Sequence, residues 1–497
     1  MKFSLKIYPD IAEKVKNMTP RELLEVVSCP AATAETQGMT QFSAIFLHGT
    51  EFEKAKAFCD SRDALVCTDT ECGAGMMLTG CANFPSMSAL GVCDDAETAY
   101  QVGRITARDS LAAGFRWSLS PCVDIRFNDR SPAVSLRSAG ETAEQVVKIA
   151  GGYMEGLQDG GVAATLKHFP GEGLSDYDQH LTTTVNPLSR EEWMASFGKV
   201  YKELIERGAM CVMPGHIALP AFDEIDPVMG LYPPATLSKP LMTDLLKGEL
   251  GFEGLICSDA VSMSGFSGYM NYYKACAEFL TCGGDVLLFA RTDDQFYEKV
   301  AQWVDPEILR DRAARVLSFC RACREMEVKP ANLPDDRALS KAVTEQAVTV
   351  ARDRFSYLPI REAKEKSYLV VDISSEYTGS TAGKDFCDYM EKEGYQVQWM
   401  ENPGPSALRH AALDGEYDAI LAMVDNGFAY GTNILRLHGR VARNMMEGWT
   451  KLGTRVVFIC LRDNSFHNQF QAPADTVIYT YGVTEYTNGA LLKKLFQ

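Results

Sequence analysis

The sequence has no run of 18 uncharged apolar residues, and its start has no apolar segment of signal-peptide length. Basic residues are also few: 49 Lys and Arg stand against 66 Asp and Glu, a formal charge of −17 over 497 residues. Such a surface repels phosphate backbones and anionic headgroups. We therefore expect a soluble, cytoplasmic protein that binds neither nucleic acid nor membranes. The sequence leaves its oligomeric state open.

The 15 cysteines lack the dense spacing of a small disulfide-stabilised secreted fold. Cys67, Cys211 and Cys257 lie in apolar runs, a pattern typical of buried, reduced thiols. The pair Cys320 and Cys323 forms a lone C-x-x-C in a helical pattern, without a second pair at zinc spacing. We predict no disulfide, no metal site and no cofactor.

No repeat, low-complexity tract or glycine-rich phosphate loop interrupts the chain. Short apolar runs instead alternate with helical periodicity over the first two thirds. Seven of these runs are candidate strands, at residues 42–48, 64–68, 114–119, 162–168, 209–213, 254–258 and 285–290. This order is typical of a parallel sheet, either a closed barrel or a doubly wound sheet. An eighth strand is not apparent.

Polar residues favour the barrel, because they follow different candidate strands at their carboxyl ends, where barrel enzymes carry their catalytic groups. They are Asp69, Asp124, Lys167, His168, His216 and Asp259. We predict an α/β fold in which a (β/α)8 TIM-like barrel catalytic domain (1–330) is followed by a linker (331–354) and a smaller α/β sandwich domain (355–497). The sandwich rests on five further candidate strands, at 368–373, 396–401, 419–424, 455–460 and 476–479.

The segment KHFPGEGLSDYDQH, from Lys167 to His180, carries the densest chemistry. Lys167 and His168 close a strand and can point donors into a barrel mouth. Asp178 lies two residues before His180, so its carboxylate can fix the imidazole tautomer of a general acid/base. A solvated Asp-His pair is the alternative.

The segment GFEGLICSD delivers Asp259 at the tip of an apolar strand. An aspartate there can be a nucleophile or a metal ligand, but three convergent ligands at a recognised spacing are not apparent. The alternative is that Ser258 or Asp259 caps the next helix.

Together these segments resemble a known family. KHFPGxG followed by D-x-H, then VMPGHIALPAFD, then PATLSKPLMTDLLKGELGFEGLICSD with a Met four residues on, is similar to the family-3 glycoside hydrolases and to their β-N-acetylglucosaminidase branch. The resemblance runs in order from about Asp69 to Ala290 and is vaguer beyond.

The resemblance implies that Asp259 is the catalytic nucleophile and that His180, oriented by Asp178, is the acid/base on a mobile loop. It implies substrate-binding roles for four residues: Asp69, Arg137, Lys167 and His168. Asp124 is expected to order the pocket, whereas His216 is as consistent with a core position as with a ligand contact.

The chain also departs from the family pattern. Glu172 stands where His is common, Gln179 where Ser or Thr is usual, and Ala260 where a second Asp is found. Residues 72–77 include no Arg, although the family often has one nearby that contacts substrate. We therefore expect differences in loop geometry and in the substrate grip.

The resemblance implies a retaining exo-β-N-acetylhexosaminidase that removes terminal N-acetylglucosamine from small glycans or cell-wall fragments. A β-N-acetylglucosaminide phosphorylase and a β-glucosidase of the same family are alternatives, as is a non-catalytic sugar-binding protein. In the second domain, five polar residues are candidates for a rim over the barrel mouth or for a solvated surface: Asp425, Asn426, Tyr430, His438 and Arg462.

Overall fold

A computed structural model describes residues 2–374, 381–413, 415–425, 445, 448–462 and 464–497. The strands are β1 (Ser28–Cys29), β2 (Ala31–Ala32), β3 (Ala44–Leu47), β4 (Thr50–Glu51), β5 (Leu65–Thr68), β6 (Leu78–Thr79), β7 (Trp117–Ser118), β8 (Thr165–Phe169), β9 (Thr184–Val185), β10 (Cys211–Pro214), β11 (Ile217–Ala218), β12 (Leu255–Ile256), β13 (Leu287–Leu288), β14 (Thr349–Asp353), β15 (Ser367–Ser374), β16 (Gln396–Glu401), β17 (Ala419–Asp425), β18 (Arg455–Cys460) and β19 (Thr476–Tyr479).

The helices are α1 (Pro9–Lys16), α2 (Pro20–Val27), α3 (Phe52–Asp60), α4 (Met87–Cys93), α5 (Ala96–Ala112), α6 (Ala143–Asp159), α7 (Arg190–Ala195), α8 (Phe197–Glu206), α9 (Ser264–Ser267), α10 (Tyr272–Thr281), α11 (Asp294–Ala301), α12 (Pro306–Glu325), α13 (Asp336–Ala347), α14 (Ala382–Lys392), α15 (Pro405–Leu413), α16 (Phe466–Gln469) and α17 (Thr487–Phe496). A π-helical segment spans Pro240–Glu249.

The first part of the chain is a parallel α/β structure. Its strands form a four-stranded sheet in the order β2-β3-β5-β7, a three-stranded sheet β8-β10-β12, and the pair β1-β13. Single bridges continue this order: Trp117 of β7 pairs with Ala163, just before β8, and Cys257, just after β12, pairs with Val286, just before β13. The strands thus form separate short sheets linked by bridges, and a continuous closed barrel is not observed among the described residues.

The strand that the sequence did not reveal lies at its start. β1 and β2 flank Pro30, which has no N–H to donate to a ladder, so the strand is split into two pairs of residues. Such short pieces carry no readable alternation.

Helices cover the outer faces of these sheets. Their starts have local causes: Thr19 and Glu22 form a capping box at α2, and the Asp95 side chain accepts two backbone N–H groups at α5. α5 and α6 cross closely because Gly156 has no side chain, since a Cβ there would lie 2.2 Å from the carbonyl oxygen of Tyr100.

The later part of the chain forms a six-stranded sheet in the order β14-β19-β18-β17-β15-β16. It is parallel except for the antiparallel edge strand β14. Alternate residues bury both faces: Val370 packs with Phe386 of α14 and Leu491 of α17, whereas Leu369 packs with Leu408 of α15. All five strands predicted in this region are present. β14 was missed because it is a partly exposed edge strand that directly follows α13.

The first part of the chain and the part that carries the six-stranded sheet are in contact through polar side chains. Asn468 Nδ2 donates to Asp129 Oδ2 at 2.7 Å, and the Thr344 and Thr484 hydroxyls are 2.9 Å apart. None of the helices in the described ranges is long and apolar enough to cross a membrane. All 15 cysteines are free thiols, as predicted, and Cys320 and Cys323 are buried in α12.

Candidate active site

The carboxyl ends of the parallel strands surround a cavity of about 520 Å³. Six of the seven predicted site residues line it, and the seventh, Asp178, lies behind His180. The six are Asp69, Arg137, Lys167, His168, His180 and Asp259. The rest of the wall is mostly apolar, with Phe46, Leu119, Met213, Met263, Leu288 and Phe289.

Four charged side chains form a network on one side of the cavity. The Lys167 ammonium lies 2.7 Å from Asp69 Oδ1 and 2.8 Å from Glu71 Oε1. Arg137 makes a two-pronged pair with Glu71, through Nε at 2.9 Å and Nη2 at 2.7 Å. The segment that carries Glu71 is held from below by the buried Tyr153 hydroxyl, which donates to the carbonyl oxygen of Thr70.

Glu71 and Lys167 stay ionised in this network. Burial alone would raise the pKa of Glu71, but Arg137 and Lys167 outweigh burial and lower that pKa well below its usual range. Burial alone would lower the pKa of Lys167, but Asp69 and Glu71 raise it. The cavity therefore presents fixed cations beside a carboxylate, which suits the hydroxyl groups of a sugar.

His168 is held by Asp124, which is completely buried behind it. The imidazole Nδ1 lies 2.7 Å from Asp124 Oδ2, and the backbone N–H of His168 donates to Oδ1 at 3.2 Å. Burial would raise the pKa of Asp124, but its interactions with His168 lower it. Because the Asp124 carboxylate accepts at Nδ1, Nε2 of His168 is directed into the cavity, 3.8 Å from Asp259 Oδ2.

Asp259 follows β12 and accepts the backbone N–H of Ala260 at 2.8 Å. Its side chain is 14% exposed, so an oxygen faces the cavity. Burial would raise the pKa of Asp259, but the imidazoles of His168, His216 and His180 and the Ala260 N–H lower it. The helix-cap alternative is wrong, because the next helix, α9, begins only at Ser264 and neither Ser258 nor Asp259 caps it.

His180 and Asp178 form a hydrogen-bonded pair on the loop after β8. Asp178 is completely buried, and its Oδ1 lies 2.6 Å from His180 Nδ1 and accepts the backbone N–H of His180 at 2.9 Å. The imidazole is 26% exposed and lines the cavity. The pair is therefore not the solvated one of the alternative interpretation, since its carboxylate is out of water.

His216 is a core histidine. Its Nδ1 lies 3.1 Å from the Thr236 hydroxyl and its Nε2 3.1 Å from the carbonyl oxygen of Ala260. Burial lowers its pKa to about 4, so the imidazole is neutral and donates from Nε2. Gln179 joins this core to the loop that carries His180, because its side-chain oxygen accepts the backbone N–H of His216 at 2.8 Å.

The sequence did not single out several residues at the site. Glu71 sits in the same D-x-E as Asp69, and that spacing is the signal that could have found it. Phe46 and Phe289 pack edge to face with ring centroids 4.9 Å apart, with His48 beside them at the cavity wall. Met76 and Met77, from the segment that lacks an arginine, form part of the wall.

Cys122, Asp124 and His168 lie close enough to offer ligand atoms to one metal ion. These groups are instead bonded to one another, because Cys122 Sγ donates to Asp124 Oδ2 at 3.1 Å and His168 Nδ1 lies 2.7 Å from the same oxygen. Asp124 thus has its hydrogen-bonding capacity filled, and nothing in this group points to a metal.

Part of the predicted rim lies on a neighbouring pocket of about 390 Å³, which shares Met76 and Arg137 with the main cavity. Arg462 of the second domain lines this pocket and pairs with the buried Asp425 at 3.3 Å. Asn426, Tyr430 and His438 lie outside the described residues.

Comparison with known proteins agrees with this geometry. Residues 48–319 match the "Glycosyl hydrolase family 3 N terminal domain". The chain is 30% identical over 466 residues to a "Beta-N-acetylglucosaminidase/beta-glucosidase" of Cellulomonas fimi, covering 87% of this chain and 81% of that protein.

Solved structures share the fold. A "Beta-glucoside phosphorylase BglX" bound to 2FGlc superposes with a TM-score of 0.87 at 22% identity, covering 100% of this chain and 97% of that one. A family 3 β-N-acetylglucosaminidase from Paenibacillus sp. str. FPU-7 gives a TM-score of 0.78 at 22% identity, covering 96% of each chain. These matches and the carboxylate and imidazole groups in one cavity define a glycoside hydrolase. The chain belongs to glycosyl hydrolase family 3.

Proposed function

We propose that the protein is a retaining exo-β-N-acetylglucosaminidase, that is, a β-N-acetylhexosaminidase, which hydrolyses terminal β-linked N-acetylglucosamine from small glycans or cell-wall fragments. One observation carries this proposal: an ionised Asp259 and an imidazole backed by the buried Asp178 line the same cavity. The name of the Cellulomonas fimi relative supports the sugar class. In this proposal residues 1–330 work as a (β/α)8 barrel, 331–354 as a linker and 355–497 as an α/β sandwich domain.

The first chemical step forms a glycosyl-enzyme. An Asp259 carboxylate oxygen attacks the anomeric carbon as the bond to the leaving oxygen breaks, and His180 gives its Nε2 proton to that oxygen. The Asp178 carboxylate holds Nδ1–H and stabilises the imidazolium before the proton leaves.

The second step releases the sugar. His180 now accepts a proton from water at Nε2, the water oxygen bonds to the anomeric carbon, and the bond to Asp259 breaks. Two inversions leave the β configuration unchanged. An imidazole adds no second anion beside the nucleophile, so Asp259 can remain a carboxylate.

Asp69, Arg137, Lys167 and His168 bind the sugar in this scheme. Lys167 and Arg137 donate to hydroxyl oxygens, Asp69 accepts from hydroxyl groups, and Nε2 of His168 faces the same space as the nucleophile. Contacts with Asp69, Glu71 and Asp124 fix Lys167, Arg137 and His168, respectively, before substrate arrives, which reduces the ordering cost of binding.

Phosphorolysis is the second candidate. The observation that favours it is the acid/base group itself, because an imidazole does not repel phosphate as a carboxylate would. A phosphate oxygen then replaces water in the second step, and the product is a sugar 1-phosphate of retained configuration. β-Glucosidase activity is a further alternative, since the name of the Cellulomonas fimi relative includes both sugars.

The test compares aryl β-N-acetylglucosaminide with aryl β-glucoside, each with and without phosphate, and follows the first-formed anomer by NMR. We expect β-N-acetylglucosamine from the first substrate. A sugar phosphate would transfer the assignment to phosphorolysis, preference for the glucoside would transfer it to β-glucosidase, and no turnover of either substrate would favour non-catalytic sugar binding.

Replacing the nucleophile provides the matched control. Asp259→Ala should lower kcat on the order of 10³-fold or more, with an unchanged melting temperature. Asp244→Ala removes an exposed carboxylate from the π-helical segment and should leave kcat and KM unchanged. Full activity of Asp259→Ala would contradict the mechanism.

A further inference from the structure

Glu172 is a buried acid that the mechanism above does not use. It is 2% exposed and lies at the start of the loop that carries Asp178 and His180. Its Oε2 accepts the hydroxyl of Thr184 at 2.9 Å, twelve positions further on and at the other end of that loop. The side chain therefore joins the two ends of the acid/base loop.

The backbone of Glu172 makes a second connection. Its N–H donates to Asp124 Oδ1 at 2.7 Å, the same oxygen that accepts the N–H of His168. Next to it, Asn186 Nδ2 donates to the carbonyl oxygen of Gly171 at 3.0 Å. One residue thus links the carboxylate behind His168 to the base of the loop that holds His180.

We propose, on the basis of the function proposed above, that Glu172 is a positioning residue for the acid/base His180, because its carboxyl group joins the two ends of the loop that carries Asp178 and His180.

Burial and the charges around Glu172 raise its pKa and favour the neutral form, whereas the hydrogen bonds that its oxygens accept from Thr184 and Gly173 lower the pKa. Asp124 faces it from the segment after β7 and Asp178 faces it from the loop itself, and both are carboxylates within hydrogen-bonded pairs. Burial raises the pKa of Glu172 to about 8, and Asp124 and Asp178 act in the same direction. A third negative charge between them would repel Asp178 and displace the imidazole that it holds.

Leaving groups distinguish a displaced acid from a damaged fold, because a poor leaving group needs the proton and a good one does not. We measure kcat/KM for phenyl and for 2,4-dinitrophenyl β-N-acetylglucosaminide. His180→Ala sets the signature: a loss on the order of 10²-fold for phenyl and a much smaller loss for dinitrophenyl.

Glu172→Ala and Thr184→Val each remove one partner of the loop contact. Both should show this signature, with a loss of about tenfold or more for phenyl and within about threefold for dinitrophenyl. Thr344→Val removes a buried threonine hydroxyl from α13 and should leave kcat/KM for both substrates unchanged. Equal losses on the two substrates in Glu172→Ala would overturn the proposal, and so would no loss on either.

Glu172→Gln keeps the shape and stays neutral at every pH. It should retain kcat/KM for phenyl near pH 7 within about threefold and should extend activity to higher pH than the wild type. A loss as large as that of Glu172→Ala, or an alkaline limb identical to the wild type, would contradict a role for the neutral form.

These outcomes are separate from the proposed function. If the wild type turns over neither glycoside, the proposed function fails and the positioning role fails with it. If the wild type and His180→Ala behave as described but Glu172→Ala shows no leaving-group dependence, only the positioning role fails.

Discussion

Arg137 grips Glu71 through two parallel hydrogen bonds, from Nε to Oε2 at 2.9 Å and from Nη2 to Oε1 at 2.7 Å. Glu71 is 5% exposed, so this two-pronged pair lies almost entirely out of water. The cation that we expect to meet substrate is therefore oriented by a carboxylate that is not among the residues lining the main cavity. Charge-assisted pairs of this geometry are strong and fix orientation as well as position.

Removing that anion should damage both the fold and the binding of sugar. Glu71→Ala leaves Arg137 and Lys167 without their shared buried partner, and breaking a buried pair costs about 3–5 kcal/mol. We expect a lower melting temperature and a raised KM. Glu307→Ala, which breaks an exposed pair with Arg310, should cost about 1 kcal/mol or less. Similar melting temperatures for the two variants would contradict the buried role of Glu71.

Asp178→Asn tests whether Asp178 supports His180 as the proposed acid/base. Asparagine keeps the size of the side chain, but it no longer provides the negative charge that stabilises the imidazolium of His180. We expect kcat for a phenyl glycoside to fall by about 10²-fold or more, with less effect on a dinitrophenyl glycoside. The same loss on both substrates would show that Asp178 holds the loop and not the proton.

His216 should make the fold sensitive to acid. Its pKa is lowered to about 4 by burial, whereas the unfolded chain binds the proton near pH 6.5. Its contribution to stability is therefore present above pH 6.5 and is lost as the pH falls toward about 4. The free energy of unfolding in urea should therefore fall more steeply for the wild type than for His216→Gln as the pH is lowered over this range. His410→Gln, at an exposed histidine of α15, is the control and should leave the pH dependence unchanged.

Glu172 should act in the opposite direction. Its pKa is raised to about 8, so the folded protein retains a proton that the unfolded chain gives up near pH 4.5. Stability from this group is complete below pH 4.5 and declines as the pH rises to about 8. Glu172→Gln should remove that decline, as measured by the free energy of unfolding at pH 5, 6.5 and 8. The exposed Glu191→Gln serves as a charge-matched control. A decline that persists in Glu172→Gln would exclude this residue as its source.

Much of the fold could be predicted because buried parallel strands leave continuous apolar runs. All seven strands expected in the first part exist, although they are shorter, as at β12, where only Leu255 and Ile256 pair regularly. β1, β2 and β14 could not be predicted for a common reason. Their own residues carry no alternation of apolar and polar side chains: β1 and β2 are two-residue pieces on either side of Pro30, and β14 is a partly exposed edge strand.

The site residues could be predicted where they lie close together in the sequence. Asp178 and His180 are two positions apart, and Lys167 and His168 are adjacent, so short motifs show them. The link between Glu71 and Arg137, 66 positions apart, and that between Glu172 and Thr184 arise from folding. A contact between positions this far apart leaves no fixed spacing that the sequence can show.

The pairing of β1 with β13 has a consequence for folding during synthesis. Ser28 and Cys29 find their partners only at Leu287 and Leu288, so these first strand residues wait for more than half of the chain to be made. Such distant contacts slow folding. During synthesis the strands from β3 to β12 have to assemble with one edge still open, and that open edge is the part of the nascent chain most exposed to wrong pairing and to chaperones.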